Sequence, residues 1–225
     1  MNAEVAIPII TTYRWVPPFA RGLVREVRAR WAFEEVGMAY RVDLIDLPYA
    51  KSEAHRRFQP FGQIPTYSDG AVEIFESGAI VLHIARQAPG LLPDDAAGQA
   101  RAIQWVIAAL NSIEPFVMDL AVVDVFEADA AWSPARRPTV EQKLRSRLAD
   151  LSAALGERPY LDDAFSAGDL MMASVLRGVP HSAILADYPN LAAYRARCEA
   201  RPAFRKALAD HLATFDDAGE APAVA

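Results

Sequence analysis

The sequence is poor in the residues that make covalent links or hold metals. Its single cysteine, Cys198, excludes an intramolecular disulfide and a cysteine metal cluster. The four histidines, His55, His83, His181 and His211, lack metal-ligand spacing, so we expect no metal site. One cysteine fits a reducing compartment, and no basic segment precedes the first apolar stretch as it would in a signal peptide. We therefore expect a cytoplasmic protein.

Long apolar runs and excess positive charge are also missing. Although 52% of the residues are hydrophobic, no uninterrupted apolar run approaches the length that spans a bilayer, roughly 20 residues. The formal net charge of −6 argues against binding to nucleic-acid phosphates, so we expect neither a membrane nor a nucleic-acid partner. Arginine is nevertheless dense between Arg14 and Arg30, where two interpretations stay open: a small anionic ligand, or a solvated helix face with pairs such as Glu26 and Arg30.

The first part of the chain carries alternating strand and helix patterns. Residues 7–13 predict a buried strand, residues 19–36 a helix that Gly37 ends, and residues 40–44 a second strand parallel to the first. A short helix is expected over 52–58, and Asp69-Gly70 between apolar runs at 65–68 and 72–75 predicts a hairpin. With a helix over 77–87, the order β-α-β-α-β-β-α predicts an α/β thioredoxin-like domain with a mixed four-stranded sheet.

Helix breakers mark the end of this domain. Pro89, Gly90 and Pro93 predict a linker over 89–94, and every later pattern has helical period. The expected helices cover 95–126, with Pro115 as a kink site, and then 139–155, 168–185, 191–200 and 203–215. We therefore divide the chain into an N-terminal domain over 1–88, the linker, an all-α domain over 95–217 and a disordered tail over 218–225.

The motif Phe61-Gly62-Gln63-Ile64-Pro65 places a proline at the start of a strand. An X-Pro bond at such a place can be cis, which exposes the N–H and C=O of the preceding residue. A peptide ligand could then pair with Ile64 as an additional strand. A plain trans turn before a hairpin is the alternative interpretation.

The motif Glu76-Ser77-Gly78 lies between a strand and the start of a helix. Free backbone N–H groups and the helix dipole make such a place an anion site. Ser77 could bind a carboxylate and Glu76 an ammonium group, so the pair could hold both charged ends of an α-amino acid. An ordinary helix N-cap with an acidic neighbour is the alternative.

A third motif, Ser166-Ala167-Gly168-Asp169, has the S-x-x-D form of a capping box and predicts a structural role in the second domain. Together with the segment from Gly62 to Pro65, the Asp-Gly hairpin and Glu76-Ser77, it resembles the landmarks of the cytosolic glutathione S-transferases of bacterial type. The resemblance covers most of the chain.

This resemblance implies a glutathione site and a reaction. In that family the backbone at the position of Ile64 pairs with the cysteinyl part of glutathione, ahead of a cis proline matched by Pro65, and positions matching Glu76 and Ser77 hold the γ-glutamyl end. The implied site is Gln63, Ile64, Pro65, Glu76 and Ser77. The implied activity is addition of the glutathione thiolate to an electrophilic, largely apolar small molecule in detoxification. Glutathione is the co-substrate, no prosthetic group is needed, and the enzyme would be a homodimer.

Members of that family activate the thiol with a Tyr, Ser or Cys after the first strand. An ungapped alignment puts Phe19 or Leu23 there, and neither can donate a hydrogen bond. If the first loop is longer than usual, Thr11, Thr12 or Tyr13 takes the activator position instead. We predict Tyr13 as the catalytic residue. Lowering a thiol pKa by about two units takes roughly 2.7 kcal/mol, and one hydrogen bond to a charged acceptor supplies about 1.5–3 kcal/mol.

Two alternatives to a transferase stay open at this point. A non-catalytic glutathione-binding or interaction protein could use the same scaffold, and the lack of an unambiguous thiol activator favours it. A glutathione-dependent isomerase would need the same thiolate. A redox thiol protein is disfavoured, because no cysteine lies near the first strand.

Overall fold

The computed structural model of the chain describes residues 6–179 and 184–215. The chain divides into two compact units, Met1–Leu91 together with Pro202–Ala225, and Leu92–Arg201. The tail predicted over 218–225 lies outside the described residues.

The two units have different secondary structure. The first contains β1 (Ile9–Tyr13), α1 (Glu26–Val36), β2 (Arg41–Ile45), α2 (Leu47–Lys51), α3 (Glu53–Arg56), β3 (Thr66–Ser68), β4 (Glu73–Phe75) and α4 (Ser77–Ala85). The second contains α5 (Ala96–Ala108), α6 (Glu114–Ala121), α7 (Ser133–Leu155), α8 (Ala167–Arg177) and α9 (Pro189–Glu199), and α10 (Pro202–Ala213) returns to the first unit.

The sheet has the predicted four strands and mixed pairing. Its order is β2-β1-β3-β4, with β1 and β2 parallel and the β1–β3 and β3–β4 pairs antiparallel. On one face, Ile10 and Thr12 of β1 are fully buried, and the buried Tyr67 of β3 stacks on Phe33 of α1 with ring centroids 6.2 Å apart. The same ring meets His83 of α4 edge-on at 4.9 Å, so this histidine packs against the core. The predicted thioredoxin-like sheet is confirmed.

Helix α1 begins later than the sequence predicts. The prediction of a helix from residue 19 is wrong, because Pro18–Ala20 forms a 3₁₀ turn and α1 begins only at Glu26. Between them Arg21 is extended and Gly22 has a φ of 80°, a left-handed conformation that interrupts a right-handed helix. The predicted end at Gly37 is confirmed, with a φ of 67°.

Helix α10 packs on α1 of the first unit. The sequence assigns residues 203–215 to the all-helical domain, whereas the contacts place α10 with the first unit. Phe204 of α10 meets Trp31 of α1 edge-on with ring centroids 4.7 Å apart. Phe204, Ala207 and His211 form the buried stripe of α10. Helical periodicity predicts such a stripe but not which element covers it.

The helical stretch at the start of the second unit is continuous but not regular. α5 and α6 are joined by a π-helical turn at Ala109–Ile113, and a second one follows at Val122–Phe126. The first π turn lies immediately before Pro115, where a ring without an N–H cannot continue the α-helical bonding. α5 packs closely on α8 at Gly168, where an added Cβ would lie 2.5 Å from the Cβ of Trp105.

By length and composition alone, the stretch Ala96–Phe126 could cross a membrane, since its mean hydropathy reaches 1.7. Core helices of globular proteins meet the same criterion. Ala102, Val106 and Ala109 are buried, and α5 makes its main packing contact with α8. Packing inside the helical unit therefore accounts for part of this apolar composition, since 33% of the most apolar window is buried.

Two predicted helix boundaries in this unit are wrong. α7 begins at Ser133 and includes Pro138, although the sequence predicts a start after that proline. α8 ends at Arg177, whereas the sequence predicts a helix up to residue 185, where a separate 3₁₀ turn, Leu185–Asp187, begins. Residues 180–183 of the predicted helix lie outside the described residues.

The predicted capping box at the start of α8 is confirmed. The Ser166 Oγ accepts from the Gly168 N–H at 3.2 Å, and the Asp169 carboxylate accepts from the Ser166 N–H at 3.0 Å. The same carboxylate accepts from the Leu161 N–H at 2.8 Å and from the Tyr194 hydroxyl at 3.0 Å. Asp169 is fully buried, so the motif joins α8 to α9 and to the preceding loop.

Candidate functional site

The sheet topology brings the predicted site segments to one edge. Because β1 and β4 both run antiparallel to β3, the ends of β1 and β4 lie beside the start of β3. Tyr13 is the last residue of β1, Pro65 precedes β3, and Glu76 follows β4. The β1–β3 register, carried to the end of β1, brings Tyr13 level with Ile64. Three segments that are distant in sequence thus meet at this edge.

The Ile64–Pro65 peptide bond is cis. The next residue is fixed to β1, since the Thr66 N–H donates to the Thr11 Oγ1 at 2.8 Å. Within residues 6–179 and 184–215, the N–H and C=O of Ile64 have no hydrogen-bond partner. A ligand with a peptide backbone can therefore pair with this residue as an additional strand.

Two buried side chains hold the backbone of Gln63. Its N–H donates to the Gln59 Oε1 at 3.2 Å, and its C=O accepts from the His55 Nε2 at 2.8 Å, so this nitrogen carries the proton. The Lys51 Nζ donates to the C=O of Gly62 at 2.9 Å. The side chain of Gln63 stays exposed and available to a ligand. Nothing in the local sequence marks the roles of His55 and Gln59, since both depend on how the segment turns back on itself.

The N-terminus of α4 lies beside this segment. Glu76 is exposed and has a φ of 72°, a left-handed conformation that is uncommon for residues other than glycine. Strained backbone of this kind clusters at ligand sites. Among the described residues no side chain caps the first turn of α4, so the N–H groups of Ser77 and Gly78 face outward from the helix end.

A buried arginine adds positive charge at this helix terminus. The Arg28 Nη1 donates to the Ser77 Oγ at 3.1 Å, and Arg28 is only 6% exposed. Arg30 is also buried and its Nε lies 3.3 Å from the Glu26 Oε1. The predicted pair of Glu26 and Arg30 is therefore present. The interpretation of a solvated helix face is wrong for these residues, because both lie in the interior. Arg28 therefore lies at the candidate site through its contact with Ser77, although sequence reasoning did not single it out from its arginine-rich surroundings.

The candidate thiol activators occupy different environments. Thr11 is already bonded to Thr66, with the two hydroxyl oxygens 3.1 Å apart, and Thr12 is fully buried on the core face of the sheet. Phe19 and Leu23 are exposed in the loop before α1. Tyr13 is half-buried, and no partner for its hydroxyl lies within the described part of the chain. Burial raises the pKa of the Tyr13 phenol, so it keeps its proton and remains a hydrogen-bond donor at neutral pH.

The single cysteine of the chain, Cys198, is not part of the candidate site. Cys198 is fully buried in α9 of the other unit, and burial raises the pKa of its thiol to about 12. Such a thiol is not a nucleophile at neutral pH. No group of His, Cys, Asp and Glu side chains in residues 6–179 and 184–215 is arranged to hold a metal ion, and His181 lies outside those residues.

The chain is similar to known proteins over most of its length. The family described as glutathione S-transferase, N-terminal domain, matches residues 19–86. Glutathione S-transferase F10 of Arabidopsis thaliana is 32% identical over 187 residues, which cover 79% of this chain and 81% of that protein. The probable glutathione S-transferase GSTF1 of Oryza sativa subsp. japonica is 28% identical over 196 residues, with 81% and 90% covered.

A solved structure extends the similarity to three dimensions. It is the theta class glutathione S-transferase from the citrus canker pathogen Xanthomonas axonopodis pv. citri, with glutathione bound, and it is 28% identical to this chain. The superposition covers 90% of this chain and 97% of that one, with a TM-score of 0.74. The thioredoxin-like sheet followed by a helical unit is therefore a fold that both proteins share.

Proposed function

The chain belongs to the glutathione S-transferase family, and we propose that its glutathione site is the sheet edge formed by Tyr13, Ile64 and Ser77. The relatives that span most of the chain are glutathione transferases, and this protein is an enzyme of that kind, with glutathione as its co-substrate. The observation that carries the proposal is the unpaired backbone of Ile64, level with Tyr13 and beside the uncapped N-terminus of α4.

The charges at the end of α4 match the γ-glutamyl part of glutathione. Its carboxylate would accept from the Ser77 hydroxyl and from the first N–H groups of α4, where the helix dipole and the Arg28 guanidinium favour negative charge. Its ammonium group would donate to the exposed Glu76 carboxylate. The cysteinyl part would pair with Ile64, ahead of Pro65, and the Gln63 side chain would face the same ligand.

The thiol would then lie next to Tyr13. The phenol donates a hydrogen bond to the sulfur and stabilises the thiolate, and the thiol proton leaves to solvent. The thiolate attacks the electrophilic carbon of an apolar small molecule, a sulfur–carbon bond forms, and the leaving group departs with its electron pair or a conjugated acceptor takes up the charge. No prosthetic group takes part in these steps.

Replacing Ser77 by alanine tests the site. We expect the Kd for glutathione to rise roughly tenfold or more, because a hydrogen bond to a charged group is worth about 1.5–3 kcal/mol. The measurement is isothermal titration calorimetry at neutral pH. Ser68→Ala is the matched control, since Ser68 lies at the other end of β3 and, among the described residues, its hydroxyl accepts only from the nearby Gly70 N–H, at 3.5 Å. Unchanged affinity in Ser77→Ala, or an equal loss in the control, would refute the assignment.

We further propose a cytoplasmic homodimer, as the family resemblance implies. Phe58 and Phe61 of the first unit are 49% and 61% exposed in the single chain, and Phe61 meets Phe75 edge-on at 6.2 Å. An exposed aromatic surface of this kind fits a subunit contact. Sedimentation velocity should give twice the chain mass for the wild type, and Phe61→Glu should shift it to the monomer. A monomeric wild type would contradict this proposal.

A further inference from the structure

A buried acid–histidine pair joins α10 to the start of α1. Glu26 and His211 are both completely buried, although 185 residues separate them in sequence. The His211 Nδ1 makes a short hydrogen bond to the Glu26 Oε1. The other carboxylate oxygen, Oε2, is buried without a partner among the described residues. A buried polar cluster with an unsatisfied oxygen costs stability, so its presence calls for a reason other than stability.

The second nitrogen of the same ring holds the loop before α1. The Gly22 N–H donates to the His211 Nε2 at 2.9 Å. A backbone N–H can only donate, so Nε2 carries no proton and the proton lies on Nδ1, where it is donated to Glu26. The imidazole is therefore neutral and uses both nitrogens, one as an acceptor for the loop and one as a donor to the helix.

Two neighbouring contacts join the same segments. The Arg21 guanidinium lies 5.5 Å from the centre of the Phe215 ring, and this ring meets His211 edge-on at 4.9 Å. The Arg30 Nη2 donates to the Thr214 Oγ1 at 3.1 Å. The end of α10 and the two residues that follow it thus contact the loop on one side of Glu26 and the helix on the other.

The segment that His211 holds joins the two halves of the proposed glutathione site. The chain leaves the sheet edge after Tyr13, passes through Gly22, enters α1 at Glu26 and reaches Arg28, which contacts Ser77. The segment before α1 has only short turns of its own, the 3₁₀ turn at Pro18–Ala20 and a turn in which the Leu23 N–H donates to the Ala20 C=O at 2.9 Å. Its path therefore depends on contacts with other elements.

We infer that His211 is a positioning residue for glutathione binding: it fixes Gly22 and Glu26, and so sets where the first turn of α1 presents Arg28 to Ser77. The inference rests on the proposed function, because it assigns a role in that same site. His211 touches neither glutathione nor the reacting atoms, and it acts through the loop and the helix.

Two substitutions at His211 separate its two hydrogen bonds. His211→Gln places an amide oxygen near the position of Nε2 and can still accept from Gly22, whereas His211→Asn places an amide N–H near the position of Nδ1 and can still donate to Glu26. His211→Phe removes both bonds and keeps an aromatic ring. Thr214→Val is the control just beyond the end of α10, because it removes the bonds of the Thr214 hydroxyl with Arg30 and with the Asp210 C=O and leaves both His211 bonds intact.

The measurements are calorimetric titration with glutathione and amide hydrogen exchange of residues 18–28, in conditions where each variant is folded. We expect His211→Phe and His211→Asn to weaken glutathione binding about tenfold and to accelerate exchange in this segment. His211→Gln should stay within about twofold of the wild type, as should Thr214→Val. A merely structural role predicts lower stability in all three His211 variants with unchanged affinity.

The outcomes separate this inference from the proposed function. Wild-type affinity in folded His211→Phe, or equal affinity of the Gln and Asn variants, would overturn the inference while the glutathione site stands. If His211→Phe does not fold, the comparison of Gln with Asn decides alone. A wild type that does not bind glutathione would overturn the proposed function and with it the role in binding, and the exchange rates would then report only whether His211 holds the loop.

Discussion

Replacing Asp169 by alanine lowers the free energy of unfolding by about 3–5 kcal/mol, the largest stability effect that we expect for a single substitution in this chain. The carboxylate is fully buried and accepts from the Ser166 N–H, the Leu161 N–H and the Tyr194 hydroxyl. Alanine leaves these donors buried without an acceptor, and each unsatisfied group costs about 1–3 kcal/mol.

Urea unfolding followed by circular dichroism measures this loss. Asp162→Ala is the matched control, because Asp162 makes an ion pair with the partly exposed Arg101, and such surface pairs are worth about 0–1 kcal/mol. Ser166→Ala should fall between the two, at about 1 kcal/mol, because it removes the bond from the Gly168 N–H and the weak bond to the Asp169 carboxylate but leaves the backbone bonds of Asp169 in place. Equal stability of the Asp169 and Asp162 variants would show that the capping network does not stabilise the helical unit.

Replacing Tyr13 by phenylalanine should raise the pKa of the bound glutathione thiol by about one to two units. The hydrogen bond that the phenol donates to a thiolate is worth about 1.5–3 kcal/mol, and one pKa unit corresponds to about 1.4 kcal/mol. Affinity for glutathione should change little, because the contacts proposed at Ile64 and Ser77 remain. At neutral pH the rate of thiolate addition should fall about tenfold or more, since the fraction ionised falls by that factor.

Ultraviolet absorbance of the thiolate, titrated against pH in the wild type and in Tyr13→Phe, measures this effect. Tyr160→Phe in the helical unit is the control for loss of a phenol elsewhere. An identical thiol titration in wild type and Tyr13→Phe would remove Tyr13 from the mechanism. Binding without any lowering of the thiol pKa in the wild type would favour a glutathione-binding protein that does not activate the thiol.

The sequence predicted best those elements whose conformation depends on only a few neighbouring residues. Asp69-Gly70 between two short apolar runs predicted the β3–β4 hairpin, and Gly37 predicted the end of α1. Ser166 and Asp169 form the predicted capping box through bonds between neighbours in sequence. Turns and caps of this kind depend on local backbone conformation, which short-range spacing reveals.

The candidate site residues were predicted from local sequence motifs as well. The segment ending in Ile64–Pro65 and the Glu76–Ser77 pair occupy the same sheet edge in the structure, as the order of elements implied. Their roles in glutathione binding remain predictions, which the substitutions at Ser77 and Tyr13 address. The late start of α1 was not predicted, because the apolar residues before Glu26 keep helical spacing. The 3₁₀ turn at Pro18–Ala20 and the left-handed backbone of Gly22 nevertheless keep this segment out of the helix.

Sequence by itself determined the order of strands and helices, the turns, the caps and the motifs of the candidate site, because each depends on residues close together in the chain. Tertiary structure alone decided that α10 packs on α1, that Arg28 reaches Ser77 across 49 residues, and that His211 reaches Glu26 across 185. Periodicity shows that a helix has a buried face, but only packing shows what buries it. The sequence alone therefore did not distinguish four residues from other polar residues, because their partners are distant in the chain: Glu26, Arg28, His55 and His211.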